Sequence, residues 1–143
     1  MQANETVNEA TRDIEQICDR TQLLTLIIRS SFRVSQTTFL TPPEFKQQVG
    51  FIVYRAGTEV PRHVHRALER HLVGTSEVIL VKQGRCLLDI YNDARELVAT
   101  RELVVGDLML MVGGGHGFRM LEDTILLEVK QGPYTGIDEK ERF

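Results

Sequence analysis

The sequence predicts an all-β fold in which short antiparallel strands close into a barrel. Six β-favouring runs support this prediction, each bounded by turn residues such as QG, ND, GD, GGG and ED. The runs are VGFIVYRA, EVILV, RCLLDIY, ELVATREL, DLMLMV and TILLEVK. No segment between them has the length and periodicity of a crossover helix, which argues against a parallel βαβ sheet. An antiparallel barrel is therefore the expected closure.

The N-terminal region has a different pattern. Its apolar residues recur at helical spacing over residues 6 to 20: Val7, Ala10, Ile14, Ile17 and Cys18. Thr6 and Glu9 have the spacing of a capping box, so we expect a short N-terminal helix here. LLTLIIRSSF is then a predicted strand, and the prolines of TPPEF end it. We expect residues 1–45 to form a helix and strand extension packed on a barrel of residues 46–143, within one domain whose polar tail GPYTGIDEKERF lies outside.

Composition and charge favour an ordinary cytoplasmic protein. The 143 residues fit one domain, and 42% hydrophobic and 26% charged residues are usual proportions for a globular chain. A net charge of -3 argues against nucleic-acid binding, which usually needs a basic surface. Cys18 and Cys86 form no CxxC pair, the N-terminus does not resemble a secretory signal, and LLTLII is too short to span a bilayer. We therefore expect no membrane partner.

Two histidines and a carboxylate stand near one another in the middle of the chain. His63 and His65 are one residue apart, so on a strand both side chains would project to the same side, about 7 Å apart along the backbone. Glu77 alternates with Ile79 and Val81, which directs its carboxylate into an apolar interior. Burial of an ionised carboxylate costs several kcal/mol unless it is paired, and a divalent cation held by histidines would be such a pairing.

His116 is the fourth candidate ligand. It follows three glycines, which would let the backbone turn sharply or approach the site closely. A shell of imidazole nitrogens and one carboxylate suits iron, manganese, nickel, zinc or copper, whereas calcium and magnesium take oxygen ligands. Each part alone is weak, since an HxH pair is often incidental and a glycine run is often only a turn. The prediction of one divalent transition metal rests on the combination.

The spacing of these residues resembles the first motif of the cupin superfamily. Gly57 is followed by five residues and then by His63 and His65. The family motif next has a glutamate, with a glycine after six further residues, and Glu77 with Gly84 has that second spacing. The stretch RALERHLVGTS would then be a lengthened loop between the two parts.

Glu69 is the alternative ligand within the same motif. It stands at the motif's distance from His65, but Ser76 occupies the position of the glycine. Leu68 and Leu72 also allow a short helix that would place Glu69 one turn from His65. We favour Glu77, because it begins a strand and strand register changes less easily than loop length.

The second cupin motif is matched in part. Gly106 and Gly114 stand at the motif's positions, whereas Val112 replaces its proline, His116 comes one residue early and Met120 replaces its asparagine. The resemblance covers roughly residues 49 to 130 and is to small single-domain bacterial cupins of unassigned activity. It implies a double-stranded β-helix, the jelly-roll barrel, with a metal near one mouth and a homodimeric assembly.

Other side chains are candidate contacts for a small-molecule ligand. Arg62, Arg66 and Arg70 cluster around the lengthened loop, and their guanidinium groups could hold a carboxylate or phosphate. Tyr54 and Phe118 are expected to line the cavity. The alternative for all of these is a solvated loop or ordinary core packing.

The catalytic residues and the reaction stay open at this point. An open metal site could serve isomerisation or epimerisation of a sugar-like or carboxylated metabolite, or oxygenase chemistry if the metal is iron. A non-catalytic binding or sensing module is the alternative, because a fold alone does not imply catalysis. A metal-free epimerase with a histidine base is a third hypothesis.

Overall fold

The computed structural model describes residues 13–136 and 139–143. These residues contain β-strands and no α-helix. The strands are β1 Ile14–Asp19, β2 Gln22–Ile28, β3 Thr38–Phe39, β4 Gly50–Phe51, β5 Glu77–Gln83, β6 Arg85–Tyr91, β7 Leu97–Val104, β8 Leu108–Met111, β9 Gly115–Met120 and β10 Ile125–Lys130. No helix in this part of the chain has the length and apolar character that crossing a membrane requires.

The described residues divide into two compact units. The main unit comprises residues 13–32, 75–136 and 139–143, and the second unit comprises residues 33–74. The main unit has one five-stranded sheet, in the order β1-β2-β8-β5-β10, and one three-stranded sheet, in the order β7-β6-β9. Every strand pair is antiparallel. The all-β, antiparallel prediction is therefore confirmed, but the described strands form separate sheets instead of a closed barrel.

Both sheets of the main unit contribute to one apolar core. Strand alternation directs every second side chain inward, which brings the two inner faces together. The core residues are Ile17, Leu24, Ile27, Ile79, Val81, Met109 and Met111 from the five-stranded sheet, and Cys86, Leu88, Ile90 and Leu103 from the three-stranded sheet. Each buried aliphatic side chain of this kind contributes about 1.5–3 kcal/mol to folding.

The predicted N-terminal helix is absent from the described part of its range, residues 13–20, because Ile14–Asp19 is the edge strand β1. It pairs with β2 from Ile14 opposite Ile28 to Asp19 opposite Gln22. Its backbone therefore forms the hydrogen bonds of an antiparallel sheet and not those of a helix. The β-branched residues of this stretch favour a strand when such a partner is next in the chain. The part of the helix prediction before residue 13 lies outside the described residues. The strand predicted over LLTLIIRSSF is confirmed for LLTLII, which is part of β2, whereas residues 29–32 lie beyond the end of that strand.

The second unit contains little regular structure. Its two short strands pair with Thr38 opposite Phe51, and Thr41 closes the loop between them. The Thr41 hydroxyl donates to Gln48 Oε1 at 2.8 Å and accepts from the backbone N–H of Val49 at 3.0 Å. The strand predicted over VGFIVYRA is limited to Gly50–Phe51. Residues 52–74, which follow it, form no helix or strand.

Candidate functional site

Glu77 begins strand β5 and is buried in the main unit. Its side chain shares a face with Ile79 and Val81, both members of the core, and the residue is only 6% exposed. The prediction that strand alternation turns this carboxylate inward is therefore confirmed. A carboxylate so placed needs a counter-charge or another partner, because burial disfavours its ionised form.

His116 reaches the same interior from strand β9. In the register of β9 with β6, His116 lies opposite Ile90 and Phe118 lies opposite Leu88, so both side chains are on the core face. Arg119 points to the other face, as the alternation predicts, where its guanidinium group donates two hydrogen bonds to Asp89. Strand register thus decides which side chains of β9 face the interior.

The glycine run before His116 has a steric function. Gly114 has a φ of 63°, and a Cβ atom there would collide with the carbonyl oxygen of Tyr91. Only glycine fits both the left-handed conformation and this close approach. The expected sharp turn is therefore present, and it allows β9 to start beside the end of β6.

Glu77 and His116 meet in the interior. Glu77 Oε2 lies 3.2 Å from His116 Nε2, yet this oxygen is buried and has no partner of hydrogen-bond geometry in the described part of the chain. The neighbouring imidazole lowers the pKa of Glu77 against the effect of burial, and the charges of Lys130 and Lys140 act in the same direction as the imidazole. The ionised carboxylate is thus favoured while one oxygen stays open to a further partner.

The pair lines a cavity of about 630 Å³ in the main unit, within the size range of small-molecule sites. Its wall combines aromatic, glycine and charged residues: Thr75, Glu77, Tyr91, Arg95, Met111, Gly114, Gly115, His116, Gly117, Phe118 and residues 139–143. Phe118 is placed as predicted, and its ring centroid lies 5.7 Å from that of His116.

His63 and His65 lie in the second unit, within residues 52–74. Both are exposed, and their ring centroids are 5.3 Å apart in an edge-to-face arrangement. His63 Nδ1 contacts the carbonyl oxygen of Pro61 at 2.9 Å. The prediction that this pair lies on a strand is wrong in this structure, since the segment forms no backbone ladder and Pro61 has no N–H to donate.

The other candidate ligand contacts also belong to the second unit. Tyr54, Arg62, Arg66, Arg70 and the alternative ligand Glu69 are all exposed in residues 52–74. Of the four predicted metal ligands, Glu77 and His116 therefore lie together in the main unit. The other two, His63 and His65, lie together in the second unit. Glu69 is exposed, whereas Glu77 is buried.

One wall of the cavity was not predictable from the sequence. The tail is expected to lie along the outside, and its described residues 139–143 are indeed exposed. They also line the cavity, as does Arg95 from the turn between β6 and β7. A short polar segment carries no hydrophobic periodicity, so no pattern indicates where it packs. Only the aromatic Phe143 beside charged residues hints at an anchoring contact.

The Glu77 and His116 pair is chemically suited to a transition metal. Two ligands that each lie about 2.1 Å from one ion are separated by about 3.0–3.4 Å in common geometries, and the observed distance between Nε2 and Oε2 is 3.2 Å. The open lone pair on Glu77 Oε2 fits the same role. Within residues 13–136 and 139–143, no group of three or more histidine, cysteine, aspartate or glutamate side chains has the geometry of a metal site.

Comparisons of the chain with protein-family models, with curated proteins and with solved structures give no significant match. The cupin resemblance therefore rests on the motif residues alone.

Proposed function

We propose that this protein is a metal-binding cupin that acts on a small polar, sugar-like or carboxylated metabolite. One observation carries the proposal: a buried carboxylate and an imidazole, 3.2 Å apart, share the wall of a ligand-sized cavity. Glu77 and His116 are the proposed ligands from the main unit. His63 and His65 are proposed as the other two on the spacing of the sequence motif.

The jelly-roll barrel belongs to the same proposal. Two antiparallel sheets around one core, as in the main unit, are compatible with a double-layered jelly roll. The homodimer also stays a proposal, based on the resemblance. Light scattering on the purified protein tests the dimer, and an experimental structure tests the barrel.

The cavity wall is suited to a small polar ligand. Tyr91 and Phe118 offer aromatic surface, while Lys140 and Arg142 bring positive charge that a ligand carboxylate can pair with. A bound divalent metal would supply Lewis-acid chemistry for isomerisation or epimerisation or, if it is iron, oxygen chemistry. Glu77 and His116 would hold the metal in the wall of the cavity and so fix the position of that chemistry.

A metal-free function is the second candidate, and the direct contact between Glu77 and His116 favours it. A carboxylate beside an imidazole can orient the ring and stabilise its protonated form, which suits a general base. The same cavity could then serve proton transfer on a sugar-like substrate, or ligand binding without chemistry.

Metal content after reconstitution separates these candidates. Untagged protein would be stripped with a chelator, incubated with iron(II), manganese(II), nickel or zinc, desalted and subjected to elemental analysis. We expect close to one metal per chain in the wild type and its loss in His116→Ala and in the His63→Ala, His65→Ala double variant. His71→Ala is the matched control, because His71 is the one histidine outside the proposed ligand set.

Wild-type protein that takes up no metal under any of these conditions would refute the metal-binding proposal and leave the metal-free candidates. Equal loss of metal in His71→Ala would instead indicate adventitious binding by surface histidines.

A further inference from the structure

Residues 139–143 close one side of the cavity through contacts with the turn between β6 and β7. The ring of Phe143 packs edge-on against Tyr91, with centroids 5.1 Å apart. The guanidinium carbon of Arg95 lies 5.4 Å from the centroid of the same ring. Arg95 also pairs with Glu141 at 2.6 Å. Phe143 therefore contacts an aromatic ring and a cation while it is 62% exposed, and Arg95 contacts two residues of the segment.

The turn that carries Arg95 is itself well ordered by hydrogen bonds. The backbone N–H of Arg95 donates to Asn92 O at 2.9 Å, and Asn92 and Glu96 exchange backbone and side-chain bonds. Arg95 has a φ of 65°, a left-handed conformation that is unfavourable for a residue other than glycine. The surrounding hydrogen bonds hold the backbone in this conformation, from which the side chain reaches residues 139–143.

An edge of the Phe143 ring lies beside Gly115 of strand β9. A Cβ atom at Gly115 would lie 3.1 Å from this ring, so the ring occupies the space that a larger residue would need. Gly115 is the neighbour of His116 in the chain. The segment thus packs beside the chain neighbour of the proposed ligand His116 in the cavity wall.

We propose that residues 139–143 form a clasp that controls access to the Glu77 and His116 cavity, with Phe143 as the anchor and Arg95 as its holder. The clasp determines how large a ligand can enter and requires release for exchange. The inference that a ligand enters this cavity rests on the proposed function. The inference that the clasp controls access to His116 does not rest on it. The contacts suit reversible opening, because the ion pair of Arg95 and Glu141 is exposed, with side-chain exposures of 48% and 79%.

Chemical modification of histidine tests the clasp directly. Chelator-treated full-length protein would be exposed to diethyl pyrocarbonate, and peptide mass spectrometry would give the modification rate of His116 relative to that of the exposed His71. We expect Phe143→Ala to raise this ratio about fivefold, which corresponds to about 1 kcal/mol lost from the closed state. Arg95→Ala should raise the ratio as well, since that substitution removes the contacts of Arg95 with Phe143 and with Glu141.

Tyr134→Ala is the matched control, because Tyr134 precedes the segment, is 79% exposed and is not among the residues that line the cavity. Its ratio should equal that of the wild type. Ratios in Phe143→Ala and Arg95→Ala that match this control would overturn the clasp. The readout needs no metal, so a protein that failed to bind metal would refute the proposed function and leave this result standing.

Discussion

Two buried carboxylates in the main unit have opposite surroundings. Asp107 is 1% exposed, and both of its oxygens are satisfied. Oδ1 accepts from the backbone N–H of Ser30 at 2.9 Å, while Oδ2 accepts from the N–H of Val104 and from Arg29, each at 3.0 Å. Glu77 is 6% exposed and lines a cavity, but among the described residues its Oε2 has only the contact with His116.

The difference separates a carboxylate that stabilises the fold from one that is available for chemistry. Buried polar atoms in native proteins are nearly always satisfied, so an unsatisfied one beside a cavity indicates a site for an additional partner. Asp107 joins the turn before β8 to the end of β2, whereas Glu77 has no comparable set of hydrogen bonds in the described part of the chain. Substitutions at the two positions should therefore have very different effects.

The largest expected effect is the loss of stability in Asp107→Ala. The substitution leaves two backbone N–H groups and the Arg29 guanidinium without their acceptor, and each loss costs about 1–3 kcal/mol. We expect the free energy of unfolding to fall by about 3–5 kcal/mol in urea denaturation. Asp123→Ala, at an exposed aspartate, is the control and should change it by less than about 0.5 kcal/mol. Similar small changes in both variants would contradict the structural role of Asp107.

A much smaller effect is expected for Glu77→Gln in metal-free protein. The amide loses the contact of the carboxylate with His116 but also avoids the burial of a charge, and these two contributions oppose each other. The free energy of unfolding should change by less than about 1.5 kcal/mol in either direction. A loss as large as that of Asp107→Ala would mean that Glu77 is structural and would remove the contrast between the two carboxylates.

The inward orientation of the Glu77 side chain was predictable from the sequence, but its close contact with His116 was not. Alternation with Ile79 and Val81 along one strand is a local pattern, and it correctly turned the side chain inward. The meeting with His116 depends on how β5 and β9 pack across the core, which involves residues far apart in the chain. No local pattern encodes that packing, so the 3.2 Å contact could only come from the structure.

The predictions of a helix over residues 14–19 and of a strand at His63 were wrong for a related reason. Ile14 and Ile17 satisfy helical spacing, yet a partner strand directly after them offers a complete antiparallel ladder. Tertiary pairing thus outweighed local periodicity. At His63 and His65 the local alternation predicts a strand, but no strand of the same unit pairs with this segment. The segment therefore forms no strand.

The smallest expected effect is on the pH dependence of stability. The hydrogen bonds from Arg119 and then Thr100 lower the pKa of Asp89 below its usual value. A folded-state pKa below that of the unfolded chain stabilises the fold above about pH 4, and this contribution is lost as the pH falls through the folded value. Wild type should therefore be slightly more stable than Asp89→Asn at pH 7 in thermal unfolding. A difference that stays constant between pH 6 and pH 3 would contradict this linkage.

Metal binding by Glu77→Gln beside Glu69→Gln tests the central claim most directly. Both variants remove one carboxylate charge from the same motif, but only Glu77 is buried beside His116. Elemental analysis after identical reconstitution should show close to one metal per chain in Glu69→Gln and none in Glu77→Gln. Retention of the metal by Glu77→Gln would contradict the claim that the open carboxylate of Glu77 is a metal ligand.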